Sequence, residues 1–367
     1  MQVNWRTIKG TNNSYAALYA ACELYGIHLE AVDRPAAEIT CYSLNSIIEP
    51  HFRDEIRDAD CITVVGGPHA TACPGEVCTY ADYAVIGEGE RTLPLLLERL
   101  RDGTTAPPPG VATAHTVRPA DSCVRLDAFA PFSKVRGYIE ISRGCPYGCT
   151  YCQTPRMFGR SMRHRSIDAV ARAASCYRDA RFISPNAFAY GSDGIHPRFE
   201  KLERLLRALD NAVYLATFPS EVRPEFVTPE SLDLVCRYCA NRKVHFGAQS
   251  GSDGVLAAIR RGHSVADVIR AVELCREFDL VPVVDVIVGF PCETEEDQRA
   301  TLELVEWVAR YGQVHAHHFT PLPGTPLAGQ PPGPILPETQ KTLGRLALKG
   351  KATGSWIAPE ARFFKKN

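Results

Sequence analysis

Three cysteines lie close together in the stretch RGCPYGCTYCQTP, residues 143–155, at Cys145, Cys149 and Cys152. Thiolates are soft ligands that favour iron–sulfur clusters, zinc or copper(I). Closed structural sites use four protein ligands, so three leave one position open. Pro146 and Gly148 suit a backbone wrapped tightly around a bulky group. The spacing CxxxCxxC therefore reads as an iron–sulfur cluster held by three thiolates, with one iron open to a small molecule. Two other readings compete: a zinc ion completed by His164, and three buried thiols with no metal.

Such a loop needs a strand to carry it. YIEIS, residues 138–142, runs straight into the first cysteine. Downstream, helix-period and apolar strand signals alternate: RFIS, AVYLATF, VHFGAQS, VPVVDVIVGF and VHAHHF are strand candidates, each preceded by an amphipathic helix. These six β/α units are too few for the usual eight-stranded closure, so residues 135–330 are expected to form an open, partial (β/α)6 barrel. Active sites of such barrels lie at the carboxyl ends of the strands, where the cysteine loop falls.

Residues 1–110 alternate strand and helix as well. YAALYAACELYG reads as a helix starting after Ser14 and stopped by Gly26. EITCYSL, CITVVGG and YAVIG read as buried parallel strands, and RTLPLLLERLRDG as an amphipathic helix. The expectation is an α/β protein whose first domain is a doubly wound, Rossmann-like sheet. Residues 111–134 read as a linker, and 331–367 as a tail or helical extension that ends basic.

The composition narrows the function. Forty-one basic residues oppose forty-two acidic ones, a net charge of −1, so no polybasic surface dominates. No apolar run is long enough to span a membrane, and the start MQVNWRTIKG lacks the apolar core of a signal peptide. A cytoplasmic protein is expected, its 14 cysteines reduced. CRYC (Cys236, Cys239) lies within a helix pattern and reads as buried thiols; His315, His317 and His318 read as strand residues.

The motif Cys145, Cys149, Tyr151, Cys152 resembles the CxxxCxΦC signature of the radical S-adenosylmethionine (SAM) superfamily, Φ being aromatic. GAQSGSDGVLAAIRRGHS (247–264), VDVIVGFPCETEED (284–297) and HFTPLPGTPL (318–327) resemble later motifs of the subgroup containing methylthiotransferases, coproporphyrinogen dehydrogenases and cobalamin-dependent enzymes. The resemblance covers about residues 135–330. It implies a [4Fe–4S] cluster whose open iron is chelated by SAM, and reductive SAM cleavage to a 5′-deoxyadenosyl radical. It implies SAM contacts at Tyr151 near adenine, Glu221 and Arg261 on the methionyl part, Gln249 and Ser250 on the ribose, and the Val288–Gly289 backbone beside adenine. A Gly-Gly-Glu motif after the second strand, which holds the SAM amino group in many members, is replaced by SPNAFAYGSDG (184–194). Gly191 and Ser192 are the candidates for that role, with Asn186 and Tyr190 facing substrate.

VVGGPHATACPGE (64–76), YAVIGEGERTLPLLLERL (83–100) and YSLNSI (42–47) resemble a cobalamin-binding domain that precedes many radical SAM domains. The resemblance implies cobalamin contacts at Ser43, Gly66, Gly67, Pro68, His69, Gly87, Gly89 and Glu90. The DxHxxG motif that supplies a lower axial histidine is absent, which leaves a cobalamin without a protein histidine, or a scaffold binding none. The pairing implies cobalamin-dependent methylation of an unactivated carbon, with an electron donor such as ferredoxin or flavodoxin. The substrate is a small molecule, a peptide or tRNA. Two alternatives stand beside it. One is cobalamin-independent radical chemistry, tRNA modification among its forms through Arg156, Arg160, Arg163 and Arg165. The other is a non-catalytic cluster protein acting as scaffold or sensor.

Overall fold

The computed structural model describes residues 1–36, 38–104, 106–120 and 123–357. The chain divides into two compact units, one built mainly from Met1–Ile139 and including Arg156–Gly159, the other from Glu140–Pro155 and the chain beyond Arg160.

In chain order, the first unit contains β1 (Val3–Arg6), α1 (Asn12–Glu23), β2 (Leu29–Val32), β3 (Ile39–Ser43), α2 (Arg53–Arg57), β4 (Ile62–Gly66), α3 (Pro68–Ala72), α4 (Pro74–Val77), β5 (Tyr83–Val85), α5 (Gly89–Arg101), β6 (Val111–Thr113) and β7 (Thr116–Val117). The sheet order is β2-β1-β3-β4-β5-β6-β7, with β1 to β5 parallel. The central strands β3 and β4 are buried on both faces, and their alternation shows why. Ile39 and Cys41 of β3 and Val64 of β4 enter one core with Leu93, Leu96 and Leu97 of α5, whereas Tyr42 and Val65 enter the opposite core with Ile56, Ala70 and Val77. This is the doubly wound architecture expected. Its order reverses between β1 and β3, which opens a crevice at the carboxyl ends of those strands.

Two local expectations are corrected. The first helix begins at Asn12, directly after Thr11, and not after Ser14. Residues 111–117, read as part of a linker, form β6 and β7, which extend the sheet antiparallel because a short hairpin can pair along the open edge of β5.

The second unit takes its first strand from β8 (Ile139–Glu140), followed by β9 (Ser142–Arg143), α6 (Thr154–Phe158), β10 (Arg163–His164), α7 (Ile167–Ala174), β11 (Asp179–Ile183), α8 (Phe199–Arg207), β12 (Ala212–Tyr214), α9 (Pro229–Tyr238), β13 (Lys243–Gln249), α10 (Asp253–Ala258), α11 (Val265–Glu277), β14 (Val281–Val288), α12 (Glu295–Tyr311), β15 (Gln313–His318), α13 (Pro337–Leu348) and β16 (Ala352–Ser355). One sheet runs β12-β11-β8 and the next β13-β14-β15-β16, with a parallel bridge from Val222 to Phe246 beside the junction. This is the open, partial barrel. The segment read as a tail contributes α13 and a further parallel strand, β16, so the barrel continues one unit past residue 330; residues 358–367 lie outside the described ones. No helix among the described residues is long and apolar enough to cross a membrane.

Helix starts in this unit are set chemically. Thr228, Ser264 and Thr294 cap α9, α11 and α12 through reciprocal capping boxes with Ser231, Asp267 and Asp297. Each box fixes where a loop from the barrel's carboxyl edge turns back into a helix.

Candidate active site

The YIEIS segment splits into β8 and β9, because Ser142 and Arg143 leave the barrel to pair antiparallel with β10. Arg143 is held there by two hydrogen bonds to Glu140, at 2.7 and 2.6 Å. The cysteine loop that follows is pinned from several sides. The Thr150 N–H donates to Ile259 O (3.0 Å), the Leu327 N–H to Thr150 O (3.4 Å), and Arg160 donates twice to Pro146 O (3.2 and 2.8 Å).

Within the loop, Cys149 is buried and Cys145 and Cys152 are partly exposed. Burial pushes the Cys145 thiol up, so a ligand role there requires a metal that displaces the proton. Two guanidiniums attend the thiols. Arg261 hydrogen-bonds Cys149, and the Arg223 charge favours the Cys145 thiolate. Nearby cations stabilise thiolates and suit an anionic cluster.

The zinc reading fails at His164. Its Nδ1 accepts from the Gly191 N–H at 3.2 Å and meets Ser142 Oγ at 2.9 Å, while Nε2 donates to Ser192 O at 2.7 Å. Both ring nitrogens are thus committed to the protein. Nor are the three thiols drawn within 4.8 Å of one another, a closeness reached among the described residues only by Glu49, His69 and Glu76.

A buried network backs the loop. The Arg223 guanidinium lies 3.5 Å over the Tyr147 ring, pairs with Glu225 and donates to Arg261 O. The Tyr147 hydroxyl donates to Glu225 at 3.3 Å, and His263 Nδ1 is 3.7 Å from the same carboxylate. Burial and the two arginines push His263 down to about 3, so its ring is neutral. Tyr147, Arg223, Glu225 and His263 were not singled out as site residues from the sequence.

The expected SAM residues fall into two groups. Tyr151, Arg261, Gln249 and Glu221 gather at the carboxyl end of the barrel. Tyr151 packs edge-on against Phe290 at 5.6 Å. Arg261 Nη2 donates to Gly247 O at 2.9 Å, and its Nε is buried without a partner. Gln249 ends β13 at a bulge with φ of 72°, and its amide folds back over Gly247, where an added Cβ would meet Gln249 Nε2 at 2.0 Å. Glu221 shares a hydrogen bond with Asp285, whose carboxyl burial pushes well above the usual range; burial raises Glu221 too. Asp285 was legible as the one charge inside the apolar run VPVVDVIV.

The second group is committed elsewhere. Ser250 is fully buried; its hydroxyl pairs with Thr301 Oγ1 (3.1 Å) and accepts from the Ser252 N–H (3.1 Å), tying β13 to α12 rather than facing a ribose. The Val288 carbonyl accepts from the Phe319 N–H at 2.9 Å. Gly289 donates to Glu293 (2.6 Å) and accepts from the Gly333 N–H (2.8 Å), so its missing side chain admits Gly333 and His318 rather than an adenine. Ser192 Oγ donates to Ala189 O and accepts from the Gly194 N–H, and Gly191 turns beneath Lys201 at φ of 76°. Tyr190 donates to Arg165 O at 2.7 Å. Asn186 differs: both atoms of its buried amide lack a partner, and the neighbouring Ala187 N–H reaches Glu221 O.

In the first unit, the residues read as cobalamin contacts lie at one carboxyl edge. Ser43 and Gly66 end β3 and β4, Pro68 opens α3, Gly87 follows β5, and Gly89 opens α5. Gly67 has φ of 94°, and a Cβ there would stand 2.7 Å from Leu44 O, so only glycine permits this turn. A Cβ at Gly87 would meet nothing within 4 Å, which leaves that strand end open. The side chains of His69 and Glu90 are buried instead of lining the edge.

Residues 139–305 match the model of the radical SAM superfamily. Among known proteins, the chain is similar to tRNA-2-methylthio-N(6)-dimethylallyladenosine synthase of Pelobacter propionicus, 32% identical over 64% of this chain and 55% of that one. It is likewise similar to the synthase of the same name from Thermobifida fusca, at 30% over 74% and 56%. The chain spans about half the length of the curated relatives it matches. Among solved structures, the radical S-adenosylmethionine methyltransferase TsrM of Kitasatospora setae, determined with cobalamin and a [4Fe–4S] cluster, aligns with a TM-score of 0.71 at 19% identity, over 89% of this chain and 74% of that one. The cobalamin-dependent radical enzyme OxsB aligns with a TM-score of 0.63 at 16% identity, over 95% and 55%. The three-thiolate loop at the mouth of a partial barrel and the matched family model agree: residues 139–305 form a domain of the radical SAM superfamily, whose members work with a [4Fe–4S] cluster and S-adenosylmethionine.

Proposed function

We propose that this protein is a cobalamin-dependent radical SAM methyltransferase acting on an unactivated carbon. The observation that carries the reading is the pairing of two units in one chain: a thiolate loop on a partial barrel, and a parallel sheet whose carboxyl edge is glycine-rich, with open space at Gly87. The likeness to TsrM over 89% of the chain supports it.

Cys145, Cys149 and Cys152 would hold the cluster; the two guanidiniums beside them and the Gly-Pro loop fit a bulky anionic group. Arg261 with its orphaned Nε, and Asn186 with its orphaned amide, would take the carboxylate and ammonium of SAM. Tyr151 and Gln249 would border its nucleoside, and Glu221 with Asp285 would hold one proton between them inside the barrel. Ser43, Gly66, Gly67, Pro68, Gly87 and Gly89 would border the corrin. When bound, the cluster and SAM supply a carbon radical and the cobalamin a transferable methyl group. The protein's own work is to orient these groups and keep water from them. A ferredoxin or flavodoxin would serve as reductant.

A second reading is radical modification of tRNA without cobalamin, favoured by the relatives' names. Arg156 and Arg160 are exposed, but Arg165 is buried and donates to Glu140 O at 3.0 Å, which removes it from any nucleic-acid surface.

The test is anaerobic purification with cobalamin supplied, followed by iron, sulfide and cobalt analysis. About four irons with stoichiometric cobalt supports the methyltransferase. A full cluster without cobalt sinks it and turns attention to tRNA binding and its salt dependence. Alanine at any of the three cysteines is expected to abolish SAM cleavage.

A further inference from the structure

Beyond the carboxyl ends of β3 and β4, three ligand-type side chains converge. Glu49 precedes α2, His69 lies in α3 and Glu76 in α4; one ligand atom from each lies within 4.8 Å of the other two. His69 Nε2 stands 3.8 Å from Glu49 and 4.0 Å from Glu76. Those separations are too long for hydrogen bonds. Two atoms about 2.0–2.2 Å from one ion stand about 3.3–3.6 Å apart at the tetrahedral angle, so these groups need to close by less than about an ångström to share one.

The imidazole is oriented for such a role. His69 is 4% exposed, its Nδ1 lies 3.0 Å from Ser46 Oγ, and its Nε2 is buried with no hydrogen-bond partner. Burial, the largest influence on this ring, lowers its affinity for a proton. With Nδ1–H on the serine, Nε2 turns a lone pair toward two carboxylates. The carboxylates have a cation in Arg53, but Nε2 itself faces them with neither a proton donor nor a cation of its own. Ligating histidines characteristically bond their second nitrogen in this way.

We propose that Glu49, His69 and Glu76 form a binding site for a divalent transition cation of the zinc, ferrous or manganous class. One imidazole with two carboxylates is a mixed set suited to these ions. Arg53 occupies the anionic side in the metal-free state: it donates to both Glu49 oxygens (2.9 and 3.1 Å) and to Glu76. Its side chain is 36% exposed, so it can withdraw to water, while Glu49, at 2%, stays in place. The site thus exchanges a resident guanidinium for a metal ion, and metal would join the β3–α2 connection to the β4–β5 connection. It uses none of the residues assigned above to the cluster or to the proposed corrin edge.

The probe is Mn2+, which has little affinity for thiols, titrated anaerobically into the full-length, cluster-loaded protein. Electron paramagnetic resonance of the free aquo ion measures the unbound fraction. One Mn2+ per chain is expected, abolished by His69→Ala and by Glu76→Gln. Glu76 is half exposed, so its variant should fold, with a circular dichroism spectrum unchanged. Ser46→Ala should weaken binding about tenfold, and Arg53→Met should strengthen it about tenfold by removing the competing cation. Absence of stoichiometric binding in both the parent and Arg53→Met overturns the proposal, as does binding that survives both His69→Ala and Glu76→Gln. Either result would leave a salt-bridge network and nothing more.

Discussion

Arg223→Met is the substitution that most directly tests how the cysteine loop is supported. The Arg223 side chain is 4% exposed and Glu225 is 22% exposed. The variant removes a charge-assisted hydrogen bond to Glu225, worth about 1.5–3 kcal/mol. It also removes a guanidinium stacked 3.5 Å over Tyr147, worth about 1–2 kcal/mol when desolvated, and a donor to Arg261 O. What remains is a largely buried carboxylate, one of whose oxygens has no partner already. Breaking a buried pair from one side costs about 3–5 kcal/mol. Partial exposure of Glu225 and the apolar contact of Met with the tyrosine ring bring the expectation to about 3 kcal/mol. Urea unfolding of the apo protein, followed by circular dichroism, reads the loss in the transition of the second unit. Iron retained after desalting of reconstituted protein reads the effect on the loop. The double variant Arg223→Met/Glu225→Met should recover more than half of the loss, because the stranded carboxylate is its largest part. A single variant within about 1 kcal/mol of the parent, or a double variant worse than the single, would refute the reasoning.

Two further predictions follow from the same geometry. Gly67→Ala should destabilise the first unit by about 1–3 kcal/mol, since φ of 94° with ψ of −171° belongs to glycine and the new Cβ would strike Leu44 O; differential scanning calorimetry would show the first unit's transition moving while the second stays. Glu293 is pushed up to about 7, mainly by burial, although its carboxylate accepts from Gly289 and Gln298. A carboxyl with a raised folded value stabilises most below its unfolded value near 4.5, and that contribution is lost as pH rises through about 7. The unfolding free energy of the parent, from urea titrations, should therefore fall between about pH 5 and 8 relative to Glu293→Gln, by at most about 3 kcal/mol; parallel pH profiles would contradict the assignment.

The sequence by itself determined the chemistry class and the order of elements. Three thiols at CxxxCxxC after a strand depend on local spacing alone, and a loop of a dozen residues can present them whatever surrounds it. The parallel strands announced themselves by unbroken apolar runs, since strands covered on both faces need no polar alternation. The capping residues at Thr228, Ser264 and Thr294 are likewise local. Tertiary structure decided which polar groups remained available. Ser250, Ser192 and Gly289 have the residue types and positions of cofactor contacts, but partners distant in the sequence or across a turn have taken their hydrogen bonds. Asn186 kept an unpartnered amide because no neighbour reaches it. The pairing of Glu221 with Asp285, and the stacking of Arg223 on Tyr147, join residues far apart in the chain, and no local pattern encodes them. Strand β16 escaped notice because ATGS lacks an apolar run and becomes a strand only by pairing with β15. His69 makes the distinction most clearly. Its place after Gly66-Gly67 put it at the cofactor edge, but the turn that Gly67 permits directs its ring inward, to Ser46 and two carboxylates.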